Sequence, residues 1–238
     1  MMGYPNILPI FRRELRYYFN SPVAYVVIIV FLAIIGWFFT SNLFLMNVAS
    51  MRIVFDLVPL IFLFFVPAIT MRLLAEEKKS GTLELLTTKP VRDVEIVLGK
   101  FLAAWALLAA ALAPTLLYLV TIASLGSIDF GPVFAAYFGL LLMGGVYVGI
   151  GVLSSGLTEN QIIAFIISFL IVLALFMIDK VLMYVPEGLA TTMEFLGTDH
   201  HFSNISRGVI DSRDVIYFAS LLGFSLFLAT VSLERRKW

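Results

Sequence analysis

Six stretches of this chain carry no charged residue: 17–51, 57–71, 101–128, 130–158, 160–178 and 215–233. A helix needs about 20 mostly apolar residues to cross about 30 Å of hydrocarbon. Five of the stretches meet or nearly meet that length. They predict spans near 22–41, 101–124, 132–155, 161–182 and 214–233. The second stretch is shorter and must borrow from its flanks. Its span, near 53–75, then carries Asp56 close to one end and Arg72 close to the other. Arg72 is long enough to snorkel, and Asp56 is not.

Composition agrees. Of 238 residues, 61% are apolar and 13% are charged, about half the charge expected of a soluble domain. The mean hydropathy is +1.01. A water-soluble fold of this size cannot hide that much apolar surface. Disorder, a secreted disulfide scaffold and a free nucleic-acid binder are excluded. With no cysteine, thiol chemistry and cysteine-ligated zinc are excluded too. The first span continues for about 20 apolar residues past Pro22 and ends in bulky Trp37, Phe38 and Phe39, so it reads as retained rather than cleaved.

Six spans put both termini on one side. That side holds Arg12, Arg13, Arg16, Arg72, Lys78, Lys79, Lys89, Arg92, Lys100, Arg235, Arg236 and Lys237. The other holds only Arg52, Lys180, Arg207 and Arg213. Twelve bases against four place both termini in the cytoplasm of a cell whose inner membrane the chain crosses. The zero net charge is a cancellation across the bilayer.

Polar pieces lie outside the spans. Residues 5–20 place Ile7, Leu8, Phe11, Leu15, Tyr18 and Phe19 on one helical face, with Arg12, Arg13 and Arg16 on much of the other. This predicts an interfacial helix with its bases toward anionic lipid, serving as an anchor or as a partner contact. Residues 76–99 form the one sizeable cytoplasmic loop. Ser80-Gly81-Thr82 ends a helix there, and Thr82-Leu83-Glu84-Leu85-Leu86-Thr87 is one to two amphipathic turns that Lys89-Pro90 ends. The loop is either a docking knob or a solvated linker, and the Leu83-Leu85-Leu86 cluster favours the knob. Residues 183–213 form an outer loop containing Asp199-His200-His201.

Three stretches in order carry a family resemblance: FRRELRYYFNSPVAYVV at 11–27, the 72–100 segment with Glu76-Glu77, Ser80-Gly81-Thr82-Leu83-Glu84-Leu85-Leu86, Pro90 and Gly99-Lys100, and HFSNISRGVIDSRDVIYF at 201–218. The chain resembles the permease subunits of type-2 ABC transporters, particularly the six-span gliding-motility type, over essentially its whole length. The resemblance implies one permease domain over 1–238, all-α and polytopic, with six transmembrane helices, an N-terminal amphipathic interfacial helix and a short cytoplasmic coupling helix. It implies a dimer with a second permease copy or paralogue, and a separate ABC ATPase subunit docked on the coupling helix. ATP and Mg would sit on that ATPase, and an accessory envelope protein is a further expected partner. This chain has no phosphate-binding loop of its own, because Val94 stands where the first glycine should be before Gly99-Lys100.

The residues expected to touch the ATPase are Glu76, Glu77, Gly81, Thr82, Leu83, Glu84, Leu85 and Leu86. Leucines would fill a groove, and acids would set register against basic partner groups. Gly81 permits a sharp turn. Phe11, Arg12, Arg13, Leu15 and Arg16 mark the interfacial helix. Gly145-x-x-x-Gly149 allows close helix approach, within the chain or across a dimer. Asp56 is either an intramembrane functional acid or the partner of Arg52 one turn away. Asp179 and Lys180 mark a membrane boundary. His200 and His201 lack a third metal ligand at motif spacing. An intramembrane serine hydrolase built from Ser154-Ser155 and His200-His201 needs hydrogen-bond reach, whereas about 30 Å of bilayer is expected between them. The functions left are export driven by a separate ATPase, or a membrane anchor or mechanotransducer of an envelope machine that moves no substrate.

Overall fold

A computed structural model describes residues 6–82, 91–126, 128–181 and 195–234. Among them are helices and no strands. In chain order these are α1 (Ile7–Asn20), α2 (Pro22–Leu45), α3 (Arg52–Thr70), α4 (Ala75–Lys79) and α5 (Asp93–Leu112). A 3₁₀ turn at Ala113–Thr115 leads to α6 (Leu116–Leu125), then α7 (Phe130–Leu157), α8 (Gln161–Val181), α9 (Thr198–Ser206) and α10 (Ser212–Glu234). Among the described residues, six stretches are long and apolar enough to cross a membrane: Pro22–Leu45, Arg52–Lys79, Asp93–Leu125, Phe130–Leu157, Gln161–Val181 and Ser212–Glu234.

Local chemistry sets several boundaries. Ser21 accepts the Val23 N–H, and Pro22 occupies the first turn of α2, where its missing N–H costs nothing. Pro59 and Pro67 are carried inside α3 without ending it. At Pro114 the third span tightens to 3₁₀, and the Thr115 hydroxyl donates to the Leu112 carbonyl at 2.6 Å.

α7 is the most enclosed span. Its glycines explain why. Where Gly144 lies, Leu108 of α5 and Phe62 of α3 fill the space a Cβ would take. Gly149 meets Ser225 and Leu222 of α10, and Gly151 meets Thr70 of α3. Gly145 faces Trp105, whose indole N–H donates to the Leu141 carbonyl at 2.9 Å. Both glycines of the 145–149 pair thus face helices of the same chain. Around α7 the outer spans turn apolar side chains outward, as at Ile29, Trp37, Ile162 and Phe227.

Two sequence expectations change. α1 does not simply lie on its apolar face. Its buried row is Ile10, Glu14 and Tyr18, while Ile7, Phe11, Leu15 and Phe19 are half-buried and Leu8 is exposed. The reason is Gly99 of α5. A Cβ there would stand 2.6 Å from Ile10 Cγ2, so only glycine lets α1 cross so closely, and the row through Ile10 turns inward.

The region expected as an outer loop also differs in its described part. Residues 198–206 form α9, which folds back along α7. Thr198 meets Tyr147, Phe202 and Ile205 cover Gly139, and Gly208 abuts Pro132. That is about 22 Å of α7 at 1.5 Å per residue. Thr198, His201, Phe202 and Ile205, at i, i+3, i+4 and i+7, form the buried stripe that drives the insertion. Residues 182–194 lie outside the described residues.

Candidate functional site

α1, α4 and the start of α5 meet at one end of the bundle, and four charges brace them. Lys100 of α5 is 1% exposed. Its ammonium lies 3.2 Å from Glu14 Oε1 of α1 and 2.9 Å from Glu77 Oε1 of α4. Arg13 completes the set, 2.6 Å from Glu14 and 2.9 Å from Glu77. Two cations and two anions alternate, so each charge that burial strips of water has opposite charges beside it. Burial works against an ionised Glu14, but Lys100 and Arg13 outweigh it and hold its carboxyl below the ordinary range. Burial also works against the Arg13 cation, and Glu14 and Glu77 overcome it, so the guanidinium keeps its proton more tightly than usual.

The neighbours extend the brace. Arg72 is half-buried and packs against two aromatic rings. Its guanidinium carbon sits 4.8 Å from the ring centres of both Tyr17 and Tyr18. The Tyr18 hydroxyl donates to the Ile69 carbonyl at 2.5 Å. Glu95 accepts from Asn6 N at 3.2 Å, Asn6 Nδ2 at 3.1 Å and Arg92 N at 2.9 Å, tying the start of α1 to the start of α5.

The join between α3 and α4 has its own splint. Ser155, at the end of α7, accepts the N–H groups of Leu74 and Ala75 at 2.9 and 3.0 Å and donates to the Met71 carbonyl at 2.9 Å. Lys78 Nζ donates to the Gly156 carbonyl. A hydroxyl spent three ways is a structural group, not a nucleophile.

The expected contact residues divide. Glu77 is in the brace, and Glu76 is 3.5 Å from the Tyr17 hydroxyl. Gly81 has φ +69°, a left-handed turn that glycine takes without strain, with open space around it. The Thr82 hydroxyl is 2.8 Å from that of Ser80. Glu76, Glu77, Ser80 and Thr82, together with Arg72 and Tyr17, line a cavity of about 260 Å³. Leu83, Glu84, Leu85 and Leu86 lie outside the described residues. On α1, Phe11 and Leu15 are half-buried, Arg12 and Arg16 are exposed, and Arg13 reaches into the brace.

Asp56 sits at the other end of the bundle. It is exposed, and pairs with Arg52 at 3.7 Å. Asp179 and Lys180 both hold α9: Asp179 Oδ2 accepts the His200 N–H at 2.8 Å, and Lys180 pairs with Asp199 at 2.6 Å. Insertion of α9 also shortens the gap once expected between serine and histidine. Thr198 reaches Tyr147, only about 12 Å of helix from Ser155. Even so no nucleophile–base pair forms, because both ring nitrogens of His201 and the Ser155 hydroxyl have other partners.

Glu14 and Lys100 escaped the sequence reading as site residues, and Ser155 was weighed there only as a nucleophile. Glu14 and Lys100 are separated by 86 positions, and no spacing rule links them. One local signal was available: Glu14 falls in one helical row with Ile10 and Tyr18, an acid on the apolar side of α1.

A family model described as ABC-2 family transporter protein matches residues 46–197. The chain belongs to the ABC-2 transporter family. The match runs from before α3 to beyond α8, so it includes Glu77 and Lys100 of the brace and leaves Arg13 and Glu14 outside. No curated protein matches the chain. An ABC-2 chain with six apolar helices is a multi-pass membrane protein and a permease-type subunit of an ABC transporter.

Proposed function

We propose that this ABC-2 permease couples a separate ABC ATPase to export of a substrate across the bacterial inner membrane, working as a dimer with a second permease copy or paralogue. ATP and Mg belong to the ATPase. The α1 end of the bundle faces the cytoplasm, in keeping with the twelve-to-four bias of basic residues. The stretches at 11–27, 72–100 and 201–218 favour the six-span gliding-motility type within the family.

The observation that carries this reading is the brace. Lys100 joins α4, which leads into the loop, to the start of the third span, and Glu14 ties both to α1. A push on residues 80–90 would therefore be borne by three helices together. Packed helices respond to such a push by switching between discrete arrangements.

The double substitution Leu85→Asp and Leu86→Asp tests the docking. The ATPase is expected to stop co-purifying while the permease stays in the membrane at its normal level. Co-purification at the unmodified ratio overturns the assignment. ATP-dependent uptake into inverted vesicles is then expected of the intact pair, and its absence in the presence of ATP hydrolysis would favour an anchor or mechanotransducer.

A further inference from the structure

In the half of the bundle away from α1, a buried histidine has both ring nitrogens engaged. His201 is 4% exposed and Asp214 is 3% exposed. His201 Nδ1 lies 2.6 Å from Asp214 Oδ1, and Nε2 lies 3.0 Å from the Phe195 carbonyl oxygen. A carbonyl oxygen only accepts, so Nε2 carries a hydrogen. A neutral ring would then turn the bare lone pair of Nδ1 toward a carboxylate oxygen. Two acceptors at that distance repel, and burial removes the water that would screen them. Moving the hydrogen to Nδ1 would satisfy Asp214 and leave Nε2 facing the Phe195 oxygen unprotonated. Only one additional proton, held between Nδ1 and Oδ1, satisfies both contacts at once.

The surrounding charged and titratable groups do not supply that proton's place. From α10, Tyr217 stacks on the ring with centroids 3.9 Å apart, and its hydroxyl donates to the Leu196 carbonyl at 2.6 Å. From α9, the His200 ring stands edge-on at 5.4 Å, and Asp199 is paired with Lys180 of α8. Asp179 of α8 accepts the His200 N–H, and the Tyr147 hydroxyl of α7 lies 2.8 Å from that of Thr198. Among the described residues, the His201 ring nitrogens meet only Asp214 and Phe195.

We propose that His201 and Asp214 form a proton-operated clasp between α9 and α10. With the proton in place, the ring pins Phe195 and α9 to the start of α10. When it leaves, the clasp opens. The part of α9 beyond the clasp, with Ser203, Ser206 and the following Arg207, lines a cavity of about 570 Å³ together with Arg52, Phe55 and Asp56. The proton thereby sets the position of one wall of that cavity. The closed form holds one more proton than the open form, so closure weakens as pH rises. This inference stands on the geometry of α9 and does not depend on what the permease transports.

The test is amide hydrogen exchange of the segment 195–206 in the full-length permease in lipid nanodiscs, at about pH 6 and about pH 9, on either side of the usual histidine range. Rates are corrected for the intrinsic pH dependence of exchange. Protection is expected to fall about ten-fold at the higher pH. Asp214→Asn is expected to abolish that dependence, because an amide N–H can donate to the neutral Nδ1 at either pH. His200→Gln is expected to keep it. Protection that is the same at both pH values in the unmodified protein overturns the clasp. So does an unchanged pH response in Asp214→Asn, or its loss in His200→Gln.

Discussion

The two ends of this bundle bury polar groups by different means. At the α1 end, Arg13 and Lys100 alternate with Glu14 and Glu77, and each charge has an opposite charge beside it without any added proton. At the α9 end, one imidazole faces one carboxylate and one carbonyl, and the set is complete only with a proton added. Buried ions are tolerated when each has a partner of opposite charge and a hydrogen bond. The first end meets that condition with side chains from three helices, and the second borrows from solvent. The α1 end therefore holds its charges with groups of its own, whereas the clasp proposed for the α9 end depends on proton activity.

Removing the shared cation is the most direct way to break the comparison. Lys100→Met leaves the buried Glu14 and the half-buried Glu77 with only Arg13, and is expected to cost about 3–5 kcal/mol, as for a buried pair stripped of one partner. Thermal unfolding of the purified permease measures it. A loss below about 1 kcal/mol, the range of exposed pairs, would mean that water reaches the cluster freely.

Ser155→Ala is expected to cost less, about 1–3 kcal/mol, because the N–H groups of Leu74 and Ala75 lose their shared acceptor. Hydrogen exchange at those two amides should accelerate, while exchange in α9 should not.

pH sharpens the contrast through its sign. Glu14 titrates below its ordinary value of 4.5 in the folded protein. Its stabilisation is therefore fully present above that value and is lost as pH falls through the depressed one. The α1 end should loosen on acidification and the α9 end on alkalinisation, so exchange from the two segments should move in opposite directions across a pH series.

The smallest effect belongs to Arg52→Ala. Its pair with Asp56 is exposed and spans one helical turn, so unfolding should shift by no more than about 0.5 kcal/mol. A larger shift would bring Asp56 back as a functional acid.

Much of the fold was legible along the chain because the bilayer imposes a local rule. A span must be long and mostly apolar wherever it occurs, and five of the six stretches met or nearly met that rule one at a time, the second only with its flanks. The turn at Gly81 was legible for the same reason, since a sharp turn is decided within a few residues. The candidate site was legible only in part. Glu76, Glu77 and Gly81 were picked out by a local break in a loop, but the partners that give Glu77 its role were not. Arg72 was read as a snorkelling end-of-span residue and instead stacks on Tyr17 and Tyr18.

By itself, then, the sequence determined which segments cross the membrane, that all of them are helical, and which end is basic, because hydrophobicity and charge act on each segment separately. Only the tertiary structure decided which charges face each other. Lys100 looked like one more base in a basic loop until Gly99 let α1 come close enough to bring Glu14 beside it. His201 looked like a loop histidine until the stripe of α9 drew it inward against Asp214. In both cases a polar group's meaning depends on the partner that burial forces on it, and that partner comes from another helix.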